Sequence, residues 1–457
     1  MIALALLILL AALAMGMVAR RSATAKSPLA AHFPGQPIWV RPTPPIRLRV
    51  WVGAAAVLTV ATIGALIVFP IAGLVAAFFT ITVLGLLAAI MHRYASGCDE
   101  MRAAVDAYEP RVAMPYAGKT GVHIGMWSPW IERTGVPWCI VARTPALFHE
   151  LAAAYEIPII QGQIPPSVRG ALYPHGAAKN SEFIEASGAT HVFLGHGDSD
   201  KPLSASDRVL QYDVITVAGQ AAIDRFTASG VHVPPEKLRI IGRPQTEGIA
   251  VTTGRPRHPA TVLYAPTWRH ADDSLNVSSL AVADRIVQEL LDRGCTVHFR
   301  RHFAGANHAA AEAMIADVNR LLEADAETTG RPHQWGQAAM DRPMFEAFND
   351  ADVMVSDVSG IVVDFMASLK PFVMYAAQFD DTAAFRASHP TATSAYVIDA
   401  GLRDLGSALD AALGDDPLAP ARVQQAGYYL GGDDRAEPAQ RFMDLVREVS
   451  QSAPRHP

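Results

Sequence analysis

The chain has 457 residues, half of them apolar, with 38 Lys and Arg against 44 Asp and Glu and a formal net charge of −6. That length supports two or three domains, each with its own core, and the acidic balance argues against a nucleic-acid partner, which needs a basic face. Cys98, Cys139 and Cys295 lie far apart and form no C-x-x-C pair, so they suggest neither a zinc site nor a disulfide framework.

The first elements are apolar. Residues 1–19, MIALALLILLAALAMGMVA, approach the roughly 20 residues of a bilayer span, and the charge, Arg20-Arg21, follows the run instead of preceding it. This order predicts an uncleaved anchor with its N-terminus outside. Residues 20–49 are rich in Pro, Arg and Lys and contain no acidic residue. They predict a basic cytosolic linker that builds no core and lies against anionic membrane lipids. Two more apolar runs, 50–69 and 71–91, are broken only by Pro70, and His92-Arg93 follows. They predict a transmembrane hairpin over 50–92. Three spans then make this an integral plasma membrane protein with its body in the cytoplasm.

From about residue 119, short β-rich runs alternate with amphipathic stretches, the pattern of βαβ units. A first Rossmann-like domain over 119–252 has expected strands near GVHIGM, WCIVA, IPII, HVFLG, DVITVA and LRIIG. The polar passage TGRPRHP, 253–259, reads as a linker. A second domain over 258–457 has expected strands at TVLYA, CTVHF, ADVMVS, PFVMY and AYVID, and a last helix, AEPAQRFMDLVREVS, placed to fold back across the halves. The fold class is α/β, a pair of Rossmann-like domains facing a cleft. Neither G-x-G-x-x-G nor a P-loop is present, which argues against dinucleotide cofactors and direct ATP hydrolysis.

Ligands of such sheets bind beyond the carboxyl ends of the strands, which selects the loops at 195–201, 242–247, 265–270 and 356–360. In the last of these, a strand ends at Ser356-Asp357 and a helix begins around Ser359-Gly360. The free N–H groups of a helix start suit an anion, and Asp364 follows on the same helix within reach of a ribose. Asp357 or Ser359 serving only as an N-cap remains open. Arg269 follows one strand and Arg301 and His302 another, and together with the 359 turn they could surround a diphosphate without a metal. His298 and His302 stand four apart but sit in a strand pattern without H-E-x-x-H, so no zinc site is expected. In FLGHGDSDKPLS, 193–204, Asp198-Ser199-Asp200 spells a D-x-D, and His196 stands on a glycine turn just before it. Two Asp in a polar turn are ordinarily solvated or capping, which favours His196 as the chemical group.

YAPTWR, SDVSGIVVDF and KPFVMY, in that order, resemble the CDP-glycerol glycerophosphotransferases, membrane-associated enzymes of teichoic-acid synthesis. The resemblance covers roughly 190–376. It implies a GT-B fold and transfer of a polyol phosphate from a CDP-activated donor to a lipid-linked cell-envelope acceptor. The nucleotide-activated donor is a substrate, and no cofactor or metal is expected. By the same resemblance His196 is the general base, Arg269, His302 and Ser359 lie at the donor phosphates, where Arg301 and Gly360 are expected beside them, and Asp357 and Asp364 bind the nucleotide or ribose. Asp198, Asp200 and Lys201 would position the loop or meet the acceptor. The chain departs from the family pattern at Gly360, at Phe303, at the three residues before Lys201-Pro202 and in GRPQTE, 242–247. Transfer of a sugar from a UDP- or GDP-sugar in the same cleft stays open as an alternative.

Overall fold

The computed structural model describes residues 2–24, 29–34, 48–118, 121–195, 197, 206–252, 254–269, 276–302, 309–432 and 437–454. It begins with three helices packed on one another, α1 (Ile2–Thr24), α2 (Leu48–Val68) and α3 (Pro70–Tyr108). Gly73 allows the close approach of α2 and α3, since a Cβ there would stand 2.6 Å from the Leu66 Cα. Hydroxyls join the helices where little else is polar: Thr62 meets Thr80 at 2.7 Å, and Ser22 donates to the Met91 carbonyl at 2.7 Å.

Three spans were expected, but among the described residues two helices, α1 and α3, are long and apolar enough to cross a membrane by length and composition. The apolar part of α2, Val52–Val68, falls short of that length. The second arm of the hairpin also does not stop at 92. α3 runs on for 39 residues to Tyr108, because Ala95, Cys98, Met101 and Val105 continue a buried stripe at helical spacing. Met101 and Val105 join the core of the first α/β domain. The basic linker contributes as well. Ala30–Ala31 (β1) adds an antiparallel edge strand to β4 (Ile159–Gln161), and Leu29 and Phe33 beside it are buried.

The first α/β sheet holds, in addition, β2 (Val112–Tyr116), β3 (Trp138–Ala142), β5 (Gly170–Tyr173), β6 (Thr190–Phe193), β7 (Val214–Val217) and β8 (Leu238–Ile240). Its order is β1-β4-β3-β2-β5-β6-β7-β8, parallel except for β1. The domain therefore starts at 112, ahead of the expected 119. The strand expected at GVHIGM is a 3-10 turn, Gly121–His123, followed by a loop. β5 was not foreseen. The second sheet is all parallel, in the order β10-β9-β11-β12-β13, with β9 at Thr261–Ala265, β10 at Thr296–Phe299, β11 at Val353–Ser356, β12 at Phe372–Ala376 and β13 at Tyr396–Asp399. These strands are buried on both faces, as apolar runs covered by helices require.

The chain then returns to the first domain, as expected. Tyr429 and Leu430 share a core with Ala221, and Phe442, Leu445, Val446 and Val449 of the last helix, Glu437–Ser450, enter the core beneath β2 and β5. That helix therefore belongs to the first domain by packing, although it follows the second in sequence.

Candidate functional site

The carboxyl ends of the two sheets are brought against each other. β6 ends at Phe193, and the turn after it is tied down from both sides. Thr216 Oγ1 donates to the Phe193 carbonyl at 3.1 Å, and Trp127 Nε1 donates to the Gly195 carbonyl at 3.1 Å. In the second domain β11 leads into the short helix Gly360–Met366. A Cβ built on Gly360 would lie 3.9 Å from the Gly197 Cα, so the two turns meet backbone to backbone. Ser359 stands at the head of this helix in extended conformation, φ −153° and ψ 154°, and its side chain caps none of the helix N–H groups. Ser359 and Gly360 are both partly exposed.

Three adjacent strands deliver the remaining groups to the same edge. In the order β10-β9-β11, Arg301 and His302 follow β10, Arg269 follows β9, and the 359 turn follows β11; all three side chains are partly exposed. Arg301 Nη1 is buried and makes no hydrogen bond among the described residues. A guanidinium N–H left in that condition is costly unless an anion or water answers it. Arg300 is spent differently: its guanidinium closes on the carbonyls of Ala339 and Arg342, each at 2.6 Å. His298 is buried, and burial pushes its imidazole down to about 4, so it stays neutral.

The two aspartates expected at the ribose are held by protein groups. Asp357 is fully buried. Its Oδ2 accepts from the Thr267 N–H at 2.7 Å and its Oδ1 from the Ser279 N–H at 3.0 Å. This carboxylate fixes the backbone that carries Arg269 and does not face a ribose. Asp364 accepts two bonds from Arg243, to Oδ1 from Nε and to Oδ2 from Nη2, the latter at 3.1 Å. Arg243 is 5% exposed, so a buried charge pair joins the 242–247 segment to the second domain. Asp364 therefore holds the two domains together through this pair, and a sugar hydroxyl would share its oxygens with Arg243. The other end of the segment grips the first domain. Glu247 accepts from Arg133 through both oxygens and from Trp130 Nε1 at 2.9 Å, and Arg133 holds its carboxyl below the usual range.

His196, Asp198, Asp200 and Lys201 lie outside the described residues, so of that loop the structure places Gly195 and Gly197. Among the described residues no group of three or more His, Cys, Asp or Glu could hold a metal ion. Arg243 and Glu247 were missed as individual residues, although their segment had been singled out as a strand-end loop. The signal was there, since two charged residues bracketing a proline at a domain junction are well placed to pair in both directions.

Two α/β domains thus face each other at their strand ends, with cationic side chains gathered on one of them. Residues 242–387 match the model of the family described as CDP-Glycerol:Poly(glycerophosphate) glycerophosphotransferase. The match bears out the resemblance drawn from YAPTWR, SDVSGIVVDF and KPFVMY, and indicates a transferase. Among curated proteins no match is found. Solved structures similar to it include the wall teichoic acid polymerase TagF, at 11% identity over 75% of this chain and 90% of that one, with a TM-score of 0.48. MnaA of S. aureus, in a co-structure with UDP, is similar at 11% identity over 76% and 100% of the two chains, TM-score 0.49. MurG of Acinetobacter baumannii is similar at 12% over 74% and 100%, TM-score 0.41.

Proposed function

We propose that this chain is a membrane-anchored transferase of GT-B type, moving a glycerol-phosphate-like group from a CDP-activated polyol to a hydroxyl of a membrane-linked cell-envelope acceptor. The observation that carries this reading is the approach of Gly197 to Gly360. It sets Gly197, the residue after His196 in sequence, opposite the head of the helix that follows β11.

In this mechanism the diphosphate of the donor lies among Arg269, Arg301, His302 and the 359 turn. His196 takes the proton from the acceptor hydroxyl as its oxygen attacks the β-phosphorus. The bond from that phosphorus to the bridging oxygen breaks, and CMP leaves. A positioned base contributes about 10²–10⁴-fold. The cationic groups stabilise charge spread over the phosphates, so the mechanism needs no metal. Arg20 and Arg21 follow the apolar run of α1, and His92 and Arg93 that of α3; with α2 as the returning crossing both clusters lie on one side, which the positive-inside rule makes cytoplasmic. A lipid-linked acceptor then meets the cleft at the inner leaflet.

The test is a donor screen on the full chain in detergent, with CDP-glycerol and CDP-ribitol against UDP- and GDP-sugars, each with and without chelator. Transfer from a CDP-polyol, insensitive to chelator and lowered about 10²–10⁴-fold by His196→Ala, is the expected result. Transfer from sugar nucleotides alone overturns the donor assignment, and full activity of His196→Ala overturns the base.

A further inference from the structure

A second His-Gly pair follows a neighbouring strand. β5 ends at Tyr173 and continues as Pro174-His175-Gly176, just as β6 continues to His196-Gly197. The two strands are neighbours with Tyr173 opposite Phe193, so the chain leaves both at the same edge of the sheet. The Phe193 ring is the common floor of both turns. A Cβ on Gly176 would meet it at 3.7 Å, and so would a Cβ on Gly195.

The next strand, β2, brings a third group. It ends at Tyr116, whose hydroxyl lies 3.0 Å from His123 Nδ1. His123 stacks on His175, with ring centroids 5.1 Å apart and planes 21° from parallel. Both imidazoles are partly exposed, while Tyr116 is buried. Each turn is fastened. Tyr155 donates to the Gly121 carbonyl at 2.8 Å, and Asn180 Nδ2 donates to the His175 carbonyl at 2.7 Å. Trp127, four residues past His123, donates to the Gly195 carbonyl. Three adjacent strands thus deliver a stacked histidine pair, Gly195 and Gly197 to one stretch of sheet edge, on the side of the cleft opposite the donor cations.

We infer that the His123–His175 pair is the acceptor subsite, holding the hydroxyl-bearing terminal unit of the acceptor, a polyol or polyol phosphate, beside the 195–197 turn. The inference rests on the transfer reaction proposed above. The chemistry of the pair selects hydroxyls. Burial lowers the His175 imidazole from its ordinary value, which favours the uncharged ring, and an uncharged imidazole suits a hydroxyl better than a phosphate. Burial pushes the Tyr116 phenol up to about 12, so it stays an uncharged hydroxyl beside His123 Nδ1. Fixed, uncharged groups of this kind order a flexible polyol without competing for the diphosphate.

The test compares His175→Phe, which keeps the stacked ring and removes its nitrogens, and His123→Gln with the wild-type full chain. The expected result is a rise of about tenfold in KM for the acceptor, the loss of one hydrogen bond near 1.4 kcal/mol. KM for the CDP-polyol and the slow release of CMP without acceptor stay unchanged. An acceptor KM within twofold of wild type in both folded variants overturns the subsite. Carbethoxylation of His123 and His175 by diethylpyrocarbonate, followed by mass spectrometry, reads the same site without turnover. Glycerol 3-phosphate should slow their modification while CMP does not, and equal rates with and without glycerol 3-phosphate also overturn it. Wild-type protein inactive with every CDP-polyol would sink the proposed reaction while the protection result still judged the subsite.

Discussion

Asp357 illustrates how one carboxylate can look catalytic and be architectural. It sits one residue past β11, next to the turn that carries Ser359, where a ligand-binding acid would be expected. The structure turns it inward instead, onto the N–H groups of Thr267 and Ser279. Those two groups begin the segments on either side of residues 270–275, so the carboxylate holds the frame from which Arg269 projects. Asp357→Ala leaves both buried donors unanswered, at about 1–3 kcal/mol each. The expected outcome is a fall in the apparent melting midpoint of at least about 5 °C, read by thermal denaturation of the full chain in detergent. Asp357→Asn, which keeps one acceptor oxygen, should lose less. A ribose ligand at this position would give the opposite pattern, an unchanged midpoint with a raised donor KM.

At the scale of elements, segment 242–247 behaves as a two-ended clasp, with Arg243 on Asp364 of the second domain and Glu247 on Arg133 and Trp130 of the first. The Arg133–Glu247 end is 48% and 35% exposed, so solvent screens it and it contributes about 0.5 kcal/mol. Its folded carboxyl is depressed by Arg133. Such a group contributes stability above its unfolded pKa and loses it as pH falls through the folded one. Glu247→Gln should therefore unfold slightly earlier than wild type at neutral pH, with the difference closing as pH falls below the usual carboxylate range. A difference that is constant with pH would mean that the Trp130 bond, not the charge, carries the effect.

The elements also show what a single sequence discloses. β3, β9, β11 and β12 were legible because buried parallel strands are continuous apolar runs. VAMPY, β2, was not: Ala and Pro are poor strand formers, and it follows a long helix with almost no punctuation. β5, GALY, is four residues with a glycine at its head, and missing it concealed His175 at its end. The continuation of α3 was legible in Ala95, Cys98, Met101 and Val105, but the charged pair His92-Arg93 suggested an end. Which way Asp357 and Asp364 point was not legible, because their partners, Thr267, Ser279 and Arg243, are 78 or more residues away in sequence.

For the molecule as a whole, the apolar helices are built into the first domain and not merely tethered to it. α3 leaves its apolar stretch near His92 and continues unbroken for four more turns, until Met101 and Val105 are buried beside Ala113 of β2. Phe33 packs edge-on against Tyr108 at 5.5 Å, closing β1 over the same surface. The first domain is thus packed onto the helices, and in the proposed topology this holds the cleft at one height above the membrane. This predicts where the chain can be cut. A protein beginning at residue 94 loses β1 and the burial of Leu29 and Phe33, about 1.5–3 kcal/mol for each side chain. It retains the helix that covers β2, so it should remain folded and appear in the high-speed supernatant. A protein beginning at residue 110 also uncovers the surface under Met101 and Val105, an apolar patch of the kind that drives aggregation, and should sediment. Fractionation of the two truncations, followed by far-ultraviolet circular dichroism of the soluble one, checks this. Equal solubility of both would mean that the lower half of α3 is dispensable and that the first domain is complete without it.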